Sequence, residues 1–283
     1  MTDDTLVEAT PSADPPGREP MSGGDKVRFV LRGVGQTLIT LGLVVLLFVV
    51  YEVWITNIFA HREQSKVANA LKHEWANGQD PLLPLPGGSN PTIPVGTGIG
   101  VLYIPRLGRD YHFTIVQGST VPNDAELEKG PAHYKDTALP GRIGNFAVAG
   151  HRVGKGEPFL NIDKLRSGDA VIVETKSYWY VYRVLGSPAG RNPQTVSEDV
   201  TTDGKISLPG REIVDPSAGR VLLPVPDNPD VTASEQLMTM TTCHPKFTAS
   251  HRMIVYSKLQ TRLANPDLKM PQSLLDLYSE VKA

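Results

Sequence analysis

Apolar and polar positions divide the chain into stretches of different period. Residues 1–24 are rich in Asp, Glu, Pro, Ser and Gly and show no apolar period. They read as a disordered tail. The run from Gly33 to Tyr51 carries no charge, and Gln36, Thr37 and Thr40 are its polar interruptions, all near its start. A helix needs roughly 20 apolar residues to cross a bilayer. The run therefore predicts a transmembrane helix at 33–54, with Tyr51 and Trp54 suited to the far interface. A cleaved signal peptide would have a shorter apolar core and a small-residue cleavage site, and Ala60-His61 is a poor site too far downstream. Lys26, Arg28 and Arg32 precede the run. By the positive-inside rule they place residues 1–32 in the cytoplasm and everything after the span outside the cell.

From Ile58 to Asn77 the period becomes helical, with Val67, Leu71 and Trp75 at four-residue spacing among charged residues. This segment reads either as a stalk or as a helix packed on the later domain. Prolines and glycines from Pro81 to Gly98 follow, so 55–97 is expected to be an extracellular stalk and linker. The glycines at 96, 98 and 100 lack dinucleotide-binding spacing and a preceding strand. Beyond Ile99 the pattern is of short strands broken by turns: Gly100–Ile104, His112–Val116, Gly144–Ala149, Ala170–Glu174, Trp179–Leu185, Arg220–Leu223, Gln236–Thr242 and Arg252–Leu259. Pro-Gly at 140–141 and Asn-Pro at 192–193 and 228–229 punctuate them. The spacing predicts a mainly β fold, a closed or nearly closed barrel at 98–262. Short helices are expected at Ala125–Lys129 and Phe159–Leu165, and an amphipathic one at Gln272–Val281 in the tail 263–283.

Composition narrows the function. A formal charge of -2 gives no basic surface for nucleic acid. With 24 Pro, 26 Gly and 7% aromatics, turns between strands fit better than a helical bundle. Cys243 is the single cysteine, which excludes an internal disulfide and a thiol-rich zinc site.

On its own, a lone cysteine reads as a small buried hydrophobe. The setting of Cys243 argues otherwise. Thr239, Thr241 and Cys243 share one face of a strand that Pro245 must end, so the thiol sits where a loop can expose it. A nucleophilic thiol needs an acid/base partner and a donor for the developing oxyanion. Of the seven histidines, His61 and His73 lie in the stalk and His112 within an early strand, while His244 and His251 are out of phase with Cys243 and Arg252. That leaves His151 and, in a loop, His133. Ala147, Ala149 and His151 share a face, the alanines leave room beside the imidazole, and Gly150 permits close backbone approach. Arg252 opens the strand after Cys243, and a hairpin between them brings the guanidinium beside the thiol. Zinc on Cys243, His244, His251 and His151 is opposed by the strand phases.

Thr239-Met240-Thr241-Thr242-Cys243 resembles the sortase signature Thr-Leu-X-Thr-Cys, with Met in place of Leu. Arg252 matches the family's downstream arginine and His151 its upstream histidine. Tyr103-Ile104-Pro105-Arg106-Leu107-Gly108, Gly130-Pro131-Ala132-His133-Tyr134 and Thr241-Thr242-Cys243-His244-Pro245 look most like class E sortases of actinobacteria. Asp80-Pro81-Leu82 faintly resembles the lid of class C enzymes but reads better as a turn. The resemblance implies an eight-stranded sortase barrel and a membrane-anchored cysteine transpeptidase. Such an enzyme cleaves a Leu-(Ala/Pro)-X-Thr-Gly sorting signal between Thr and Gly and passes the protein to a peptidoglycan amine. Cys243 would be nucleophile, His151 acid/base and Arg252 oxyanion donor, with Thr242, Tyr134 and His133 at the substrate. Neither cofactor nor metal is expected, and the partners are secreted proteins bearing the signal, a wall amine and the membrane. A hydrolytic peptidase on the same site and a silent membrane-tethered β-domain that binds a wall component are the competing readings.

Overall fold

The computed structural model describes residues 23–51, 56–83, 91–186, 196–199 and 206–281. The acidic tail 1–22, Trp54, Pro84 and Pro86 of the linker, and the Asn-Pro turn at 192–193 lie outside the described residues. Helix α1 (Gly23–Val50) covers residues 33–50 of the expected span and starts ahead of Gly33, because nothing between Gly23 and Arg32 breaks a helix. Its stretch Lys26–Val50 is long and apolar enough to cross a membrane. Thr37 and Thr40 donate their hydroxyls to the carbonyls four residues back (3.0 and 2.9 Å), so these polar interruptions are satisfied within the helix.

The second unit holds everything from Val50 onward. It begins with α2 (Thr56–Ala76), then β1 (Gly98–Tyr103), β2 (His112–Gln117), α3 (Asp124–Leu127), β3 (Ala132–His133) and β4 (Gly144–Ala149). There follow β5 (Ala170–Glu174), β6 (Tyr178–Val184), β7 (Val196–Asp199), β8 (Ser207–Pro209), β9 (Arg211–Val214), β10 (Gln236–His244), β11 (His251–Ala264) and α4 (Gln272–Glu280). The strand order β10-β4-β3-β2-β1-β5-β6-β11 closes through a β10–β11 pairing into an eight-stranded barrel. Strand β11 is long enough to serve two neighbours: from Ser257 it pairs with β6, and over Arg252–Val255 with β9.

Alternation along β10 decides what is inside and what is outside. Met238 and Met240 join Phe146, Val148, Tyr182 and Val255 in the barrel interior. Leu237, on the opposite phase, packs outside with Leu208, Val214, Val221, Ile254 and Tyr256. Each fully buried aliphatic or aromatic side chain contributes about 1.5–3 kcal/mol. Interior and outer layer together therefore fix the register of β10, since a slip by one residue would exchange its faces.

Several expectations change. Of the two readings of Ile58–Asn77, the packed helix is the one seen: Leu71 and Trp75 of α2 pack on Val101 of β1. In the tail, Leu274 and Leu277 of α4 cover Ile172, Trp179 and Val181. Arg220–Leu223 is a 3-10 turn at Gly219–Leu222, not a strand, because its amides bond locally (Leu223 N to Arg220 O, 3.4 Å). Asn145 pins that turn by donating to the carbonyls of Val221 and Leu223, both at 3.1 Å. Phe159–Leu165 shrinks to a 3-10 turn at Ile162–Lys164, and His133 lies in the short strand β3 rather than in a loop.

Candidate active site

The three proposed reactive residues lie on or just past three adjacent strands. In the antiparallel β10–β11 pair, Cys243 and Arg252 are direct partners. In the parallel β4–β10 pair, the last aligned residues are Ala149 and Thr241. His151 follows the end of β4 by two residues and opens on the same cleft as Cys243. All three line one cleft of ≈ 500 Å³ on the outer wall of the barrel. The α3 segment with Asp124, the residues following β9 and Tyr134 form its other walls.

Cys243 is a free, half-buried thiol. The His151 side chain is 15% exposed, and its Nε2 is buried with no hydrogen-bond partner. Asp124 Oδ1 lies 3.8 Å from that nitrogen, an ion-pair distance but too long for a hydrogen bond. Burial pushes the imidazole below the ordinary histidine range, opposed by the Asp124 charge. The hydrogen bond from Lys155 (2.9 Å) in turn holds Asp124 below the usual carboxylate range, and Lys155 also reaches Glu128 at 3.2 Å. Gly150 has the role its sequence position suggests: a Cβ there would stand 2.5 Å from the Phe159 ring, which packs directly beneath the strand end. Arg252 Nη1 donates to the carbonyls of Ala249 and His251, both at 3.0 Å, so the hairpin itself steers the guanidinium.

The three residues expected at the substrate part company. Tyr134 lines the cleft, with its hydroxyl 2.8 Å from Thr241 Oγ1. Thr242 reaches the cleft wall but donates its hydroxyl to Gly150 O at 2.8 Å, tying β10 to β4. His133 is fully buried, its Nε2 donates to Ala138 O (3.0 Å) and its ring faces the interior, away from the residues that line the cleft. Among the described residues no group of three His, Cys, Asp or Glu side chains is arranged to hold a metal. His244 instead accepts from Arg152 at 2.8 Å. Asp80 accepts from Ser177 (2.7 Å) and Leu82 packs at the barrel core, so that turn does not cover the cleft.

Two contributors escaped the sequence reading. Asp124 and Arg152 are ordinary charged residues in loop sequence, and only the fold brings them to His151 and Cys243. A capping pattern, Asn123 accepting from Glu126 N at 3.2 Å, was the one local signal near Asp124.

Comparison with known proteins agrees with this geometry. The family described as Sortase domain matches residues 102–260. Sortase SrtE1 of Streptomyces coelicolor is 35% identical over 234 residues, 81% of this chain and 56% of that protein, so the chain spans little more than half the length of that relative. Sortase SrtE2 of the same organism is 31% identical over 252 residues, covering 85% of this chain and 87% of its own. The solved SrtF sortase from Corynebacterium diphtheriae superposes with a TM-score of 0.55 at 36% identity, over 68% of this chain and 98% of that one.

Proposed function

The chain belongs to the sortase family, and on that premise we propose that it is a class E type cysteine transpeptidase. It cleaves a Leu-(Ala/Pro)-X-Thr-Gly sorting signal between Thr and Gly and joins the new carboxyl group to a peptidoglycan amine. The observation that supports this reading is a single cleft lined by Cys243, by Arg252 as its cross-strand partner, and by His151.

Neutral His151, its Nε2 without a partner, takes the proton of the Cys243 thiol. The thiolate attacks the threonine carbonyl, and Arg252 donates to the oxyanion. Collapse breaks the Thr–Gly bond. The imidazolium of His151 gives its proton to the leaving glycine amine, and a thioester remains on Cys243. The acceptor amine then attacks the thioester and loses a proton to His151. The second tetrahedral intermediate expels the Cys243 thiolate, which recovers its proton from His151. Tyr134 and the residues following β9 form walls against which the signal peptide lies.

Helix α1 anchors the protein, with Lys26, Arg28 and Arg32 on the cytoplasmic side and the 98–262 barrel outside. Incubating the full chain in detergent with Leu-Ala-X-Thr-Gly and Leu-Pro-X-Thr-Gly peptides, with and without an amine, tests the activity by intact mass. The expected result is an acyl adduct on Cys243 that passes to the amine. A product indifferent to amine would make the protein a hydrolytic peptidase. No adduct from either peptide on the folded chain would sink the enzymatic reading.

A further inference from the structure

The pairing of β4 with β10 stops short of the reactive residues. Its last aligned pair is Ala149 with Thr241, and Gly150 N donating to Thr241 O (3.0 Å) is its final main-chain bond. His151 and Cys243 lie past that rung. What joins the two strand ends beyond it is side chain, from residues of opposite phase. Thr242 Oγ1 donates to Gly150 O at 2.8 Å. From the other strand Arg152, the residue after His151, donates through Nη1 to Cys243 O at 3.3 Å and to His244 Nδ1 at 2.8 Å. Its Nη2 pairs with Asp163 Oδ1 at 3.2 Å, and Arg211 of β9 donates to Asp163 O at 2.6 Å. The Arg152 side chain is 4% exposed.

A guanidinium buried this deeply costs several kcal/mol of desolvation, and its Nε has no partner to offset that cost. An apolar residue would fill the space without the cost. The geometry instead serves position: one rigid planar group, anchored to the Asp163 turn, grips the carbonyl of the nucleophile from the strand that carries the imidazole. We propose that Arg152 is a positioning residue that sets the separation and alignment of Cys243 and His151. The inference rests on the transpeptidase reading above. It adds a determinant that touches neither substrate nor the reacting atoms.

The test compares Arg152→Met, Arg152→Lys and Asp163→Asn in the full chain in detergent, with steady-state kinetics on the signal peptide and amine and with circular dichroism. A small misplacement of reacting groups costs up to about 100-fold in rate, so kcat of Arg152→Met should fall roughly 10- to 100-fold while KM for the peptide stays within about threefold. Arg152→Lys should recover part of that loss, because it keeps the charge but not the planar fork. Asp163→Asn should lose roughly 3- to 10-fold in kcat, since the guanidinium is loosened yet still reaches Cys243 O. Unchanged kcat in folded Arg152→Met, or a loss confined to KM, overturns the proposal. If Arg152→Met does not fold, Asp163→Asn decides, and normal kcat there overturns it. A wild-type chain that forms no acyl adduct overturns the transpeptidase reading and this role with it; an active wild type matched by its variants overturns this role alone.

Discussion

Two histidines in the barrel wall, His133 on β3 and His151 just beyond β4, differ chiefly in what their ring nitrogens meet. His133 is fully buried: Nε2 donates to Ala138 O at 3.0 Å with Thr137 Oγ1 also at 3.0 Å, and Nδ1 lies 3.0 Å from Gln117 Oε1. His151 keeps a little exposure, and its buried Nε2 has no partner at all. Burial lowers the pKa of both rings, that of His133 to about 4. The same desolvation thus serves opposite ends. The enclosed ring of His133 is mortar between strands, its Nε2 proton already committed to Ala138 O. A ring left short of one partner is free to take a proton from a thiol and return it to an amine.

The sharpest way to break this contrast is to remove each ring in turn. His151→Gln should lower kcat/KM by roughly 10²- to 10⁴-fold with the unfolding midpoint little changed, as read by peptide turnover and thermal melts. A weak effect on turnover would move the acid/base role elsewhere. Arg252→Gln comes next, with kcat reduced roughly 10²- to 10³-fold for loss of an oxyanion donor. In His133→Ala the signs reverse: stability should fall by about 2–3 kcal/mol in denaturant titration, while kcat per folded molecule stays within about threefold. A turnover collapse with the fold intact would make His133 part of the chemistry after all.

Acid titration sharpens the comparison further. The unfolded chain binds a proton at His133 near the ordinary value of 6.5, whereas the folded chain resists until about 4. Stability from this group is therefore whole above the unfolded value and drains away as pH falls from about 6.5 to about 4, by on the order of 3 kcal/mol. In His133→Gln that part of the pH dependence should vanish. The smallest effect is expected from Tyr134→Phe, which deletes the 2.8 Å bond to Thr241 and should cost about 1 kcal/mol. A much larger fall in turnover would show that the phenol also binds substrate.

Periodicity made much of the fold legible. Gly144–Ala149 and Ala170–Glu174 were placed to the residue, because both are fully buried strands bounded by turn residues. Position along the chain and strand phase together sort seven histidines down to His151 and His133, and the structure brings His151 to the same cleft as Cys243 and Arg252. What stayed hidden depends on contacts between distant segments. β3 is two residues long, and β9 exists because β11 has a free edge where β6 ends. Arg220–Leu223 has the apolar content of a strand, yet Asn145 holds it as a turn over β10. Nothing in the local sequence marks Arg152 for burial, yet its side chain is 4% exposed in the fold.

The alternation along β10 has a practical side for anyone redesigning this protein. Interior Met238 and Met240 and outward Thr239, Thr241 and Cys243 interleave within a single nine-residue strand. Both faces are committed: Thr239 is fully buried and donates its hydroxyl to Asn145 Oδ1 at 2.7 Å, and Thr241 holds the Tyr134 hydroxyl, so a library aimed at new sorting signals belongs on the walls contributed by other segments rather than on this strand. Length is no freer. Deleting Leu237 would turn the thiol into the barrel and Met238 and Met240 outward, so this strand tolerates no change of word length.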